Sequence, residues 1–154
     1  MLEDAKMPQV DENFFDWLYL DLRNERKHML FYLTNASSMK GIDAIEYIEM
    51  FENEAKEEMA HVTEFQNMIV GLGGDLKCLK SLGYERHEIF TEPVEALKYA
   101  LRMEEEVVDN YVDRIRMVEN LENATTKKWL EVFYEKQIEK SRADVDKYKR
   151  LLNY

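Results

Sequence analysis

The chain has 154 residues, of which 34% are charged, with five glycines, two prolines and one cysteine. This length suits a single domain, and the composition favours a helical protein without a disulfide framework. The formal net charge of −11 disfavours a nucleic-acid partner and favours attraction of cations. The longest apolar run, Met29 to Leu33, is too short to cross a membrane. The acidic N-terminus lacks the apolar segment of a signal peptide, so the sequence predicts a cytoplasmic protein.

Four long helices are predicted after a flexible tail of residues 1–10, within one domain of residues 11–154. Their approximate bounds, in chain order, are 11–38, 43–70, 91–121 and 125–152. Asp11 or Asn13 is expected to cap the first helix and Asp43 the second. Thr91 is expected to cap the third helix, with Pro93 in its first turn.

The connections between these helices differ in length. The first and last connections are short, whereas residues 75–92 form a long linker. Short loops join antiparallel helices, and a long crossover places the helices on either side of it parallel. The sequence therefore predicts an all-α four-helix bundle with a long crossover between helices two and three.

Each helix carries polar side chains in the middle of the apolar stripe that should face the core. These residues are Glu25 in the first helix, Glu54, Glu58 and His61 in the second, Glu104 in the third, and Gln137, Ser141 and Asp144 in the fourth. Burying an unpaired carboxylate costs several kcal/mol. Three carboxylates at matching depth, Glu25, Glu58 and Glu104, therefore indicate a cation between them, and carboxylate with imidazole is a donor set that suits iron.

The spacing of these residues supports a shared site. Glu58 and His61 are three residues apart, so both project from one side of a helix and can hold one ion together. This spacing alone is also typical of a solvated glutamate beside a hydrogen-bonded histidine. However, Glu58 follows Glu25 by 33 positions, and Gln137 follows Glu104 by the same 33 positions. Two helical hairpins would thus present equivalent positions, as a pseudo-twofold dimetal site requires.

Four segments resemble, in order, the four helices of ferritins and bacterioferritins, over about residues 12–152. They are NERKHMLFY (24–32), EEMAHVTEFQN (57–67), ALKYALRMEEEV (96–107) and YEKQIEK (134–140). The resemblance implies a ferritin-like bundle that oxidises Fe(II) to Fe(III) with dioxygen or peroxide, for iron storage or detoxification. It also implies a homo-oligomer. Because the sequence ends at Tyr154, after the fourth helix, assemblies smaller than the twenty-four-subunit cage stay open.

The resemblance also implies a ferroxidase centre and the role of each residue in it. The implied metal ligands are Glu25, Glu58, His61 and Glu104, with Glu58 as the bridge, Glu57 as an auxiliary carboxylate, Gln137 in the fourth-helix position and Tyr32 beside the centre. The fourth helix departs from the bacterioferritin and rubrerythrin pattern, because Gln137 and Lys140 replace a second Glu-x-x-His. Some ferritins carry a glutamine at the first of these positions. We expect Lys140 to extend outward as a surface lysine.

Several alternatives stay open at this stage. The centre holds either two irons or one tightly and one weakly bound ion. His28 is a possible extra ligand, although a histidine bonded to a neighbour is the preferred interpretation. Glu135 or Glu139 would become ligands if the fourth helix had a shifted register, and haem at Met59 is not expected. The rival functions are a dimetal redox enzyme of the rubrerythrin or oxygenase kind and a non-catalytic bundle with a decayed site.

Overall fold

The computed structural model describes residues 10–81 and 87–154. Its four long helices are α1 (Glu12–Ser38), α2 (Ala44–Gly71), α3 (Pro93–Val118) and α4 (Ala124–Leu152). A short 3₁₀ helix, Leu76–Ser81, follows α2, and no strand occurs in the described ranges. The chain divides into two compact units, Met1–Pro93 and Val94–Tyr154. The predicted tail lies outside the described residues except for Val10, which is buried.

The helix ends follow local capping chemistry with two departures from prediction. Asp11 caps α1, since its carboxylate accepts a hydrogen bond of 2.8 Å from the backbone N–H of Phe14. Asn123 caps α4 in the same way. Asp43 stands at the N-cap of α2, but its side chain makes no capping hydrogen bond, so this predicted interaction is wrong. The third helix ends at Val118, about three residues earlier than predicted, because the chain turns immediately after it.

In the first unit, α1 and α2 pack against each other in antiparallel fashion. The ring of Phe51 lies 5.9 Å from that of Phe31 and 5.1 Å from that of Tyr32, and all three side chains are buried. Near the other end of α1, the hydroxyl of Tyr19 donates to the carbonyl oxygen of Asp75 at 2.6 Å. The start of α1 therefore lies near the end of α2.

The long connection after α2 is attached to α1 at both of its ends. At its far end the amide of Asn35 donates to the carbonyl of Glu88 at 2.8 Å, and its oxygen accepts from the N–H of Phe90 at 2.7 Å. The backbone N–H of Lys40 donates to the carbonyl of Thr91 at 2.9 Å. Because Tyr19 holds the beginning of the connection, the connection leads from one end of α1 to the other.

In the second unit, α3 and α4 share an aromatic core. The rings of Tyr111 and Tyr134 lie 5.2 Å apart in an edge-on arrangement, and both side chains are almost completely buried. Leu97 and Leu101 on α3 and Tyr148 on α4 are buried as the apolar stripes predicted. No helix in the described parts of the chain is both long enough and apolar enough to span a membrane.

Candidate metal centre

The first unit brings together three of the predicted site residues. Nδ1 of His61 lies 3.4 Å from Oε2 of Glu58 and 3.7 Å from Oε2 of Glu25. One potential ligand atom from each side chain lies within 4.8 Å of those of the other two. A cation placed among these atoms would meet two carboxylates and an imidazole. Their role as metal ligands stays a prediction.

Helix geometry explains how this cluster forms. Glu58 and His61 stand one turn apart on α2, so their side chains leave the same face of the helix. Glu25 comes from the buried face of α1, which packs on α2. Glu25 and Glu58 are 2% and 3% exposed, whereas the His61 side chain is 14% exposed. Solvent therefore reaches the cluster at its imidazole.

The hydrogen bonds and charges around Glu25 determine the protonation state of its carboxyl group. Burial alone would raise the pKa of this carboxyl group, but hydrogen bonding to Glu58 and His61 and the nearby imidazoles of His28 and His61 outweigh it. Together they lower the pKa of Glu25 from 4.5 to about 2. Glu25 is thus a buried carboxylate at neutral pH, and a buried anion of this kind attracts a cation.

His28 lies on the same helix as Glu25 and is 9% exposed. Burial lowers the pKa of its imidazole below 6.5, against the attraction of Glu25, which raises it. The buried Nδ1 atom of His28 has no hydrogen-bond partner within the described part of the chain. The preferred interpretation of His28, as a histidine hydrogen-bonded to a neighbour, therefore does not hold for this nitrogen.

The other residues predicted in the first unit lie around the cluster in different environments. Tyr32 is completely buried two turns after Glu25, with its ring against Phe31 and Phe51. Glu54 is buried one turn before Glu58, whereas Glu57 is exposed. Glu57 is not one of the three clustered residues.

The second unit carries the remaining predicted residues on buried faces. Glu104 on α3 is 1% exposed and Gln137 on α4 is 4% exposed. Glu135 and Glu139 are exposed. The α4 register is therefore the one that the sequence predicted, and it places the amide of Gln137 inside.

Lys140 of α4 was misjudged from the sequence, and its partner Asp144 was not among the predicted site residues. Nζ of Lys140 lies 2.6 Å from Oδ2 of Asp144, and the Asp144 side chain is only 7% exposed. The expectation that Lys140 is an ordinary surface lysine is therefore wrong. Carboxylate oxygens of Asp144 and Glu104 also come within 4.8 Å of each other. Asp144 is buried, as its position in the core stripe of α4 predicted, and this position was the signal for including it among the site residues.

Comparison with known proteins places this helical chain in a family. The model of the ferritin-like domain matches residues 16–152, whereas no curated protein sequence matches significantly. A solved ferritin-like diiron-carboxylate protein from Bacillus anthracis is similar at a TM-score of 0.79 and 26% identity, covering 92% of this chain and 96% of that one.

Two further solved structures are similar at lower identity. BfrA from M. tuberculosis gives a TM-score of 0.79 at 18% identity, covering 94% of this chain and 86% of that one. A dodecameric thioferritin from Bacteroides fragilis gives a TM-score of 0.64 at 19% identity, covering 94% of this chain and 92% of that one. These matches and the four helices confirm the predicted fold class, an all-α ferritin-like four-helix bundle. The chain belongs to the family of ferritin-like domains.

Proposed function

We propose that this protein binds ferrous iron at Glu25, Glu58 and His61 and oxidises it to ferric iron. The observation that carries the proposal is the cluster of two buried carboxylates and an imidazole, with ligand atoms within 4.8 Å of one another. A buried carboxylate pair is costly without a counter-charge. The negative net charge of the chain also concentrates cations at its surface.

The chemistry of the donors suits oxidation as well as binding. Carboxylate oxygens and imidazole nitrogen are ligands that iron accepts. Anionic oxygen donors stabilise the triply charged ion more than the doubly charged one, because the attraction grows with charge. Binding at Glu25 and Glu58 therefore makes loss of an electron from Fe(II) more favourable.

Three protein ligands leave coordination positions of the iron substrate free for water or an oxidant. Each Fe(II) gives up one electron, and dioxygen or peroxide accepts it. Entry from the partly exposed side of His61 brings the ion to the imidazole first and to Glu25 and Glu58 next. Tyr32, buried on the same helix as Glu25, is proposed as a residue that donates a hydrogen bond or an electron near the centre.

Glu104 and Gln137 of the second unit are proposed as ligands of a second, weaker iron position, and Glu57 of the first unit as an auxiliary carboxylate. Gln137 offers a neutral amide oxygen, which is a weaker donor than a carboxylate. The first ion should therefore bind more tightly than the second. The Bacillus anthracis relative, described as a diiron-carboxylate protein, supports the idea of two positions.

We propose iron storage or detoxification in a homo-oligomer as the biological role. The neighbour described as a dodecameric thioferritin supports assembly. Large apolar side chains exposed on one protomer support it too, because burying them between copies would be favourable. They include Trp17, Leu20, Leu33, Met59 and Val70.

The experiment that tests the activity compares Glu58→Gln with Glu52→Gln. Both variants replace one carboxylate of α2 by an amide, but Glu58 is buried in the cluster and Glu52 is exposed. Anaerobic calorimetry with ferrous iron measures binding, and absorbance of ferric iron after addition of dioxygen or peroxide measures oxidation.

We expect Glu58→Gln to weaken tight binding more than about a hundredfold, since even outer partners of metal ligands contribute ten- to hundredfold. Glu52→Gln should behave as the unmodified protein. Unchanged binding and oxidation in Glu58→Gln would refute the site. Tight binding with oxidation that requires an added organic substrate would instead favour an oxygenase-like enzyme.

A further inference from the structure

Lys140 stands at the position of α4 where the bacterioferritin and rubrerythrin pattern has a second histidine. It forms an ion pair with Asp144, one turn later on the same helix. Nζ of Lys140 and Oδ2 of Asp144 are 2.6 Å apart, which is the distance of a strong charge-assisted hydrogen bond. The Asp144 side chain is 7% exposed and that of Lys140 is 27% exposed. The carboxylate end of the contact is therefore buried, and the ammonium end is partly exposed.

Asp144 is one of two neighbouring buried carboxylates in this unit. An oxygen of Glu104, on α3, lies within 4.8 Å of an oxygen of Asp144, and Glu104 is 1% exposed. Two buried carboxylates at this separation repel each other unless a positive charge lies close by. The ammonium group of Lys140, in contact with Asp144, supplies such a charge from within the chain.

The same ammonium group opposes any further cation. Two positive charges a few ångströms apart repel strongly away from bulk water. Gln137, one turn before Lys140 and 4% exposed, adds a neutral amide. In contrast, Glu25, Glu58 and His61 of the first unit present two carboxylates and an imidazole to an incoming ion.

We propose that Lys140 is a tethered cation that takes the place of a second metal ion beside Glu104 and Asp144. The chain then binds one ferrous ion tightly, at Glu25, Glu58 and His61, and Lys140 sets this stoichiometry. Loss of the lysine charge opens the Glu104 and Asp144 pair to a divalent cation. The inference rests on the proposed function, which supplies the tight first ion.

The test is anaerobic titration with ferrous iron of the unmodified protein, Lys140→Met and Lys136→Met. Methionine keeps the length of the side chain and removes the charge. Lys136 stands one turn earlier on α4 and is exposed, so Lys136→Met is the matched control. We expect one tight ion per chain in the unmodified protein and in Lys136→Met.

In Lys140→Met a second class of ion should appear, bound at least about tenfold more tightly than any second ion in the unmodified protein. Metal-free Lys140→Met should melt at a lower temperature than the unmodified protein, because it leaves Asp144 beside Glu104 without the ammonium group. Ferrous iron should raise the melting temperature of Lys140→Met back towards that of the unmodified protein. Unfolding of the metal-free variant followed by folding with iron would support the proposal equally.

Two further variants test the role of the Lys140 charge even if Lys140→Met folds poorly. Lys140→Arg retains the positive charge and should bind one ion, as the unmodified protein does. The double variant Lys140→Met with Asp144→Asn removes both charges of the pair and should also return to one ion. A second ion in Lys140→Arg, or one that persists in the double variant, would overturn the proposal.

Different results would overturn the role of Lys140 and the proposed function. Two equally tight ions in the unmodified protein, or a Lys140→Met titration identical to that of Lys136→Met, would overturn the role of Lys140 alone. If instead the tight ion of the unmodified protein survives Glu58→Gln, the proposed function fails, whatever Lys140→Met does.

Discussion

The Nδ1 atom of His61 lies 3.4 Å from Oε2 of Glu58, one helical turn before it on α2. The helix backbone fixes this pair, so the imidazole faces the carboxylate before any ion arrives. Preorganisation of this kind reduces the cost of ordering ligands on binding. It also makes the cluster sensitive to small changes at either residue.

Glu25→Gln should make the stability of the metal-free protein less dependent on pH. The pKa of Glu25 is about 2 in the folded protein, below its usual value of 4.5. A carboxyl group with a lowered folded-state pKa stabilises the fold above about pH 4.5, and this contribution is lost as the pH falls through about 2. The glutamine variant should therefore be less stable at about pH 7, by on the order of 1–3 kcal/mol.

The measurement is urea unfolding of both proteins at several pH values between about 7 and 3. The difference in unfolding free energy should shrink as the pH falls below about 4.5. A constant difference across this range would show that hydrogen bonding to Glu58 and His61 does not hold Glu25 ionised.

His28→Leu should gain stability relative to the unmodified protein in mild acid. The pKa of His28 is lowered by burial below 6.5, so the unfolded chain binds the proton more tightly than the folded one does. The unmodified protein then loses up to about 1.4 kcal/mol per pH unit below about pH 6.5. Leucine also removes a buried ring nitrogen that has no partner in the described ranges.

Melting temperatures of both proteins at about pH 8 and about pH 5 test this expectation. The melting temperature of the leucine variant should fall less between about pH 8 and about pH 5 than that of the unmodified protein. Equal falls in both proteins would mean that the imidazole takes up its proton freely within the fold.

Helix register and the first cluster could be predicted because side chains three and four residues apart share a helix face. That rule places Glu58 beside His61, and it puts Gln137 inside while leaving Glu135 and Glu139 exposed. These outcomes depend on backbone periodicity, which the pattern of apolar residues reveals.

Other features depend on where individual side chains turn, which periodicity does not specify. Lys140 has a long flexible side chain that can reach water or the interior, and the outward direction was expected. It turns to Asp144 because a buried carboxylate offers a stronger partner than water does. Asp43 makes no side-chain cap, and its backbone, at φ −91° and ψ 2°, lacks the extended conformation that N-cap residues usually adopt.

Asn35→Ala should destabilise the first unit without changing the metal cluster. The Asn35 side chain bonds the carbonyl of Glu88 and the N–H of Phe90, and both backbone groups would lose these partners. We expect a loss of about 1–3 kcal/mol in unfolding free energy. Ser37→Ala, at an exposed position of the same helix, is the control and should change little. Equal stability of the two variants would contradict an anchoring role for Asn35.

Exposed apolar residues on α1 should contribute to self-association. Trp17 and Leu20 are 42% and 40% exposed on one protomer, and burying them between copies would be favourable. We expect light scattering to show an oligomer at micromolar concentration. The double variant Trp17→Glu with Leu20→Glu should give smaller species, whereas Asn13→Glu, at an exposed polar position, should not. A monomeric unmodified protein in the presence of iron would contradict a storage role.

The most direct measurement is a crystal structure of the protein grown anaerobically with ferrous iron, with anomalous data collected on both sides of the iron absorption edge. We expect an iron peak within bonding distance of Glu25, Glu58 and His61. Occupancy beside Glu104 and Asp144 should be low while Lys140 is present. A protein that oxidises iron in solution but shows no iron peak among these three side chains would refute the proposed iron site.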